Sequence, residues 1–314
     1  MATIKTPKHK PLEIGVLSVF RNADVNPFLA VAQHNVAVTQ MVNWNMSLWT
    51  DENARRLKRY AKEAGVRINS FWAGYSGLCV WNFVQGPETL GLVPPATRKQ
   101  RVKDLKRGAE MAADCGVAAI ATHCGFIPET AHFDPLYQPT IDAIGEVAAY
   151  CQKLGLGFWF ETGQETPTTL LRAITDIGLP NLGVNYDTAN LILYGKANAV
   201  DALDLLGKYV RCTHVKDGLY PTEPYKNGVQ MPLGKGCAHL PVLLPKLRKM
   251  GYDGDLIIER EISGPQQIRD INKATRHLER LTARIFAKEA AGTNGTGLPV
   301  PQVPSVPQVP RNRL

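Results

Sequence analysis

The sequence predicts a single closed (β/α)8 (TIM) barrel. Three observations carry this reading: eight short β-branched or aromatic runs, a helical pattern after each, and a length that suits one such barrel. The chain has 314 residues, and a barrel of this kind needs about 250. Strands are expected at 13–20 (EIGVLSVF), 36–44, 67–74, 118–124, 157–162 (GFWFET), 182–188 (LGVNYDT), 212–217 (CTHVKD) and 255–262 (DLIIEREI). Helices are expected near 27–35, 51–64, 96–114, 138–154, 167–177, 199–208, 239–250 and 265–288. Repeated strand–helix alternation calls for a parallel sheet with right-handed crossovers. An open dinucleotide-binding sheet would carry G-x-G-x-x-G after its first strand, and the segment there is FRNADVNPF.

Local punctuation fits these elements. Asp51 is placed to cap the helix ENARRLKRYAKEAG, and Gly65 to end it. The same helix-then-glycine ending recurs at Gly116, Gly155 and Gly251. The barrel is expected to span 13–288, after an N-terminal extension of 1–12. A Pro/Gly-rich tail, 289–314, has repeated V-P steps that suit an extended or disordered segment. Two long connections, 75–95 and 218–238, follow strands and so lie over the C-terminal mouth, where long loops usually carry function.

Composition narrows the class. Hydrophobic residues make up 44% of the chain, enough for a large core. No apolar run is long enough to cross a bilayer, and no apolar signal region precedes a cleavage site, so the expected location is the cytoplasm. The six cysteines form no C-x-x-C pair and read as small buried hydrophobes. The net charge of +8 is spread along helix faces and both ends, which argues against a nucleic-acid partner. The expected protein partners are further copies of the chain, or a second kind of subunit.

Four residues occupy equivalent places near strand ends: Glu161, Asp187, His214 and Glu259. Side chains alternate along a strand. In FWFET, Phe158 and Phe160 suit the outer helices, which turns Glu161 inward with Trp159; Ile257 and Glu259 share a face by the same rule. Three inward carboxylates cannot all ionise without compensation. One divalent ion supplies it, and three carboxylates with one imidazole suit Mn²⁺ first, with Mg²⁺, Co²⁺ or Zn²⁺ as alternatives.

The segments FET, NYDTAN, THVKDG, PLGKGCAHLPVLLPKLRKMGYDG and LIIERE resemble the xylose isomerase-like barrel superfamily over roughly 13–287. That group holds sugar isomerases, keto-sugar 3-epimerases, inosose dehydratases, C-glycoside-cleaving enzymes and endonuclease IV. The resemblance implies that Glu161, Asp187, His214 and Glu259 bind the metal. It also implies that Glu161 and Glu259 act as an acid/base pair on opposite faces of a keto-sugar or polyol, through an enediolate. The expected activity is a metal-dependent sugar isomerase or epimerase. Keto-sugar epimerases carry a histidine three residues after the strand-six aspartate and an arginine six after the strand-seven histidine. Here those positions hold Asn190 and Tyr220, so a lyase using the same enolate stays open: an inosose-type dehydratase or a 3-oxo-glycoside C-deglycosidase. A non-catalytic barrel subunit is the third reading. Endonuclease IV needs an Asp-x-His pair in the loop after strand seven, and the loop has none.

Further candidates surround the quartet. His123, at the end of strand four, is a general base, a substrate contact or a satisfied core histidine. Lys216 holds a substrate oxygen or pairs with Asp217. Glu165 orients a hydroxyl or starts a helix. Trp44 and Trp72, with Trp81 in the first long loop, pack on a sugar face or in the core. Lys216, Asn190, Glu165, Trp44 and Trp72 make up the expected substrate-binding set.

Overall fold

Parallel pairing closes eight strands into a ring in the computed structural model, which describes residues 11–291. The strands are β1 (Ile14–Val19), β2 (Val38–Asn43), β3 (Arg67–Ala73), β4 (Ala119–Thr122), β5 (Gly157–Glu161), β6 (Leu182–Asp187), β7 (Val210–Val215) and, after a small ladder of β8 (Asp217–Gly218) with β9 (Gln230–Met231), β10 (Leu256–Ile258). Around the barrel the order is β1-β10-β7-β6-β5-β4-β3-β2. The outer elements are α1 (Leu29–Ala32), α2 (Asp51–Ala64), α3 (Gly86–Thr89), α4 (Pro95–Cys115), α5 (Tyr137–Lys153), α6 (Pro167–Ile177), α7 (Asn190–Leu193), α8 (Ala199–Leu206), α9 (Leu240–Lys249) and α10 (Pro265–Ala290).

Alternation along the strands separates two cores. Val38, Trp72, Ala119, Ala121, Trp159, Cys212 and Ile257 fill the barrel interior. Phe158, Phe160, Val184 and Tyr186 point outward and pack with the helices in the larger core. Each fully buried side chain of this size contributes about 1.5–3 kcal/mol. Both phenylalanines of β5 are thus outside, which leaves Glu161 inside at the strand's end.

Four expectations change. Thr50, not Asp51, caps α2: its hydroxyl accepts from the Asn53 N–H at 3.2 Å. Asp51 is the first helical residue and pairs with Arg107 at 2.7 Å. The helix expected over 27–35 shrinks to one turn capped by Gln33, and Asn35 beyond it has a positive φ of 56°. The eighth barrel strand stops at Ile258 rather than 262. Beyond it, the Gln230 side chain takes over the backbone, accepting from the Glu261 N–H (3.0 Å) and donating to the Glu259 carbonyl (3.2 Å). The last helix extends to Ala290, past the expected 288. Residues 1–10 of the expected extension and 292–314 of the expected tail lie outside the described residues. Among the described residues no helix is long and apolar enough to cross a membrane.

Candidate metal centre

Four adjacent strands bring the quartet together. Glu161 and Asp187 end β5 and β6, His214 lies in β7, and Glu259 follows β10 by one residue. Asp187 is in register with His214, and His214 with Ile257. Each of the four offers one ligand atom, and these atoms lie within 4.8 Å of one another. His214 Nδ1 is 2.6 Å from Glu161 Oε1, 3.3 Å from Glu259 Oε2 and 3.9 Å from Asp187 Oδ2. Glu161, Asp187 and His214 are buried, and only Glu259 keeps some exposure.

The donor set fits a divalent ion on its own terms. Asp187 Oδ1 accepts from the N–H groups of Ala189 (2.7 Å) and Asn190 (2.6 Å). Its Oδ2 is buried among the other three residues and has no hydrogen-bond partner among the described residues. The nearest cation to it is the Lys216 ammonium at 3.7 Å, beyond hydrogen-bond reach, so the oxygen keeps room for a closer cation. Hard oxygen donors with one imidazole are the ligands such ions prefer.

Electrostatics agree. Burial pushes the Asp187 carboxyl well above its usual range, against the pull of Lys216. Burial also works against charge on His214, but Glu161 and Glu259 hold its pKa well above the ordinary imidazole value. For Glu259, burial is overcome by Lys216 and His214, which hold it ionised well below the usual range.

Supporting side chains orient the four candidate ligands. Gln40, buried in β2, donates through Nε2 to Ser70 Oγ (2.9 Å) and Asn185 Oδ1 (3.2 Å). That fixes its Oε1 as the acceptor facing His214 Nε2 at 2.6 Å, so Nδ1 is the nitrogen turned to the carboxylates. The Trp72 indole N–H donates to Glu161 Oε2. Lys216 is buried, with its ammonium 2.7 Å from Glu261, 3.2 Å from Glu259 and 3.7 Å from Asp187. It also donates to Asn190 Oδ1 at 3.0 Å.

The quartet opens into a cavity of about 340 Å³ at the C-terminal mouth, the end where barrels of this class place their chemistry. Glu161, His214 and Glu259 line it, with His123, Asn190, Trp44 and Trp72. His123 lies just past β4, its Nε2 3.9 Å from Glu161 Oε1 and its Nδ1 without a partner among the described residues. Burial holds its pKa below the ordinary imidazole value, so it is neutral near pH 7. A larger cavity of about 480 Å³ at the strands' N-terminal ends is lined by Arg67, Gly157 and Gly254 among others, away from the quartet.

Several candidates sit elsewhere than expected. Lys216 does not pair with Asp217 and does not line the mouth cavity. Asp217 instead binds the backbone N–H groups of Gly218, Gly234, Gly236 and Ala238 at 2.9–3.0 Å and so shapes the loop after β7. Glu165 does not start a helix, because Thr166 caps α6. It is buried behind the cavity wall, with Oε2 unpartnered among the described residues and its pKa pushed by burial up to about 8. Tyr220 turns away and donates to the Ala197 carbonyl at 3.2 Å. Gln40 and Gln164 are additions that sequence reasoning missed. Gln164 lines the cavity beside Tyr194. Gln40 left one signal: it shares the inward face of β2 with Val38 and Val42, a polar residue between apolar ones.

A closed parallel barrel with a metal-type quartet at its mouth defines a class, and direct comparison names it. Residues 28–281 match the family model described as xylose isomerase-like TIM barrel, and the chain belongs to that family. A xylose isomerase domain protein from Planctomyces limnophilus is 31% identical, with a TM-score of 0.83 over 88% of this chain and 99% of that one. A D-tagatose 3-epimerase-like protein is 21% identical, with a TM-score of 0.68 over 88% and 100%. The E. coli 3-keto-D-glucoside 4-epimerase is 15% identical, with a TM-score of 0.61 over 86% and 99%. The last two share the fold.

Proposed function

We propose that this chain is a divalent-metal-dependent isomerase or epimerase acting on a keto-sugar or related polyol through an enediolate. The observation that carries the reading is the quartet itself, four buried or nearly buried ligand-type side chains whose donor atoms converge at the cavity floor. Glu161, Asp187, His214 and Glu259 would hold the ion. When bound, it supplies Lewis-acid stabilisation of negative charge developing on the substrate. The sugar and ketose names of the fold's neighbours support the substrate class.

The chain's own groups divide the remaining work. Glu259 is the ionised, cavity-facing carboxylate and takes the proton from the carbon next to the carbonyl. Lys216 positions it and keeps it charged. Glu161, held by the Trp72 N–H, returns a proton from the other side. Neutral His123, Asn190 and Gln164 bind substrate hydroxyls. Because both glutamates are also metal ligands, geometry and protonation are set by the same contacts.

A second reading keeps the enolate but expels a leaving group. Tyr220 turned out of the cavity favours it, since the arginine that epimerases place there has no substitute at this position. Incubation with ketoses and keto-glycosides in deuterated water tests both readings. Deuterium entering next to the carbonyl, lost in Glu259→Gln, is expected. Exchange that persists in that variant contradicts the assigned role, and product analysis separates epimer from eliminated fragment.

A further inference from the structure

The cavity is chemically split along the barrel. The quartet comes from the contiguous strands β5, β6, β7 and β10. The opposite arc, β1 to β3, presents Leu17, Val42, Trp44 and Trp72 to the same space, and Trp81 joins them from the loop after β3. The rings form a chain: Trp44 lies 4.9 Å from Trp72 and 5.9 Å from Trp81, centroid to centroid, and Trp81 lies 5.1 Å from His123. Exposure rises along it, from 5% at Trp72 to 38% at Trp44 and 39% at Trp81. The arc's polar atoms are indole N–H groups, and that of Trp72 is already used by Glu161.

This wall is built in place. Arg101, completely buried in α4, donates to the carbonyls of Ser76 (3.1 Å), Leu78 (3.0 Å) and Gly91 (2.8 Å), and stacks 4.5 Å over Tyr75. The Tyr75 hydroxyl accepts from the Gly91 N–H at 2.8 Å. Asn227, from the loop after β7, donates to the Trp81 carbonyl at 3.0 Å and ties the two long loops together. A rigid apolar face is a binding surface whose ordering cost is already met.

The geometry points to a keto-glycoside carrying a flat aromatic aglycone as the ligand, its sugar at the quartet and its aglycone against Trp44 and Trp81. A free sugar with a hydroxyl on every carbon would turn several of them toward Leu17, Val42 and the indole faces, where they would lose water without gaining partners. An aryl group gains burial and ring stacking at the same place. The inference rests on the proposed function for the sugar end only.

Binding separates the two. Calorimetry with phenyl β-D-glucopyranoside and methyl β-D-glucopyranoside reads the aromatic arc without turnover. The phenyl glycoside is expected to bind at least tenfold tighter. Trp81→Ala should erase that preference while leaving the methyl glycoside unchanged, Trp81→Phe should restore most of it, and Glu161→Gln should keep it. Equal affinities, no binding of the phenyl glycoside, or a preference that survives Trp81→Ala overturns the inference. Metal content and deuterium exchange, measured on the same protein, report on the proposed chemistry independently.

Discussion

The Nε2 of His214 lies 2.6 Å from Oε1 of Gln40, and this contact decides which imidazole nitrogen faces the carboxylates. Gln40 cannot turn over, because its nitrogen is committed to Ser70 and Asn185. Partners that orient a metal-binding histidine in this way usually matter by a factor of 10–100 in metal affinity. Gln40→Leu should therefore weaken Mn²⁺ binding by about that factor while the circular dichroism spectrum stays that of the parent. Calorimetric titration checks it, and an unchanged affinity would remove Gln40 from the centre.

A proton should leave as metal enters. Without metal, Glu161 and Glu259 raise the His214 pKa well above the ordinary imidazole value, so the imidazole holds an extra proton at neutral pH, whereas Glu259 is ionised. Ligation needs His214 neutral. Uptake should release the His214 proton, so affinity rises with pH until the imidazole has titrated. Titration in buffers of different ionisation enthalpy reads it, and no release at pH 7 contradicts the scheme.

Glu165 should limit stability at alkaline pH. Its folded pKa is raised to about 8 from 4.5 by burial. The folded state therefore holds a proton that the unfolded chain has lost, and stability falls as pH climbs through that window. At about 1.4 kcal/mol per unit, the loss amounts to roughly 5 kcal/mol at most. Glu165→Gln should match the parent near pH 4 and exceed it near pH 9. Denaturant midpoints at the two pH values read this directly; a constant difference between the proteins would rule it out.

Lys216 should be needed most when no metal is present. It faces Asp187, Glu259 and Glu261 at 3.7, 3.2 and 2.7 Å. Removing one partner of a buried charge pair costs about 3–5 kcal/mol. Lys216→Met should melt well below the parent after chelation, and Mn²⁺ should recover a larger increment than it gives the parent. Equal melting of chelated parent and variant would show that Lys216 carries no such role.

Much of this was legible in the sequence, for identifiable reasons. Period-two alternation in FWFET and LIIERE sets Glu161 and Glu259 inward without any tertiary information. The quartet was readable because its charges repeat at the same place on successive strands. Features set by distant chain were not. Strand eight ends early because Gln230 captures its backbone. Lys216 turns to Glu259 and Glu261 rather than to its neighbour Asp217, whose carboxylate is taken by backbone N–H groups of the loop after β7. Gln40 belongs to the centre only once β2 and β7 face each other across the barrel, and Trp81 to the cavity only once Arg101 folds its loop back.

Metal stoichiometry tests the central claim most directly. Protein stripped with chelator, reloaded with Mn²⁺ and desalted should retain a single ion per chain by elemental analysis, and His214→Ala should retain none. The quartet supplies ligands for one such site. Failure to take up Mn²⁺, Mg²⁺, Co²⁺ or Zn²⁺ above background, with melting unaffected by chelation, would contradict the assignment of these four residues to a metal.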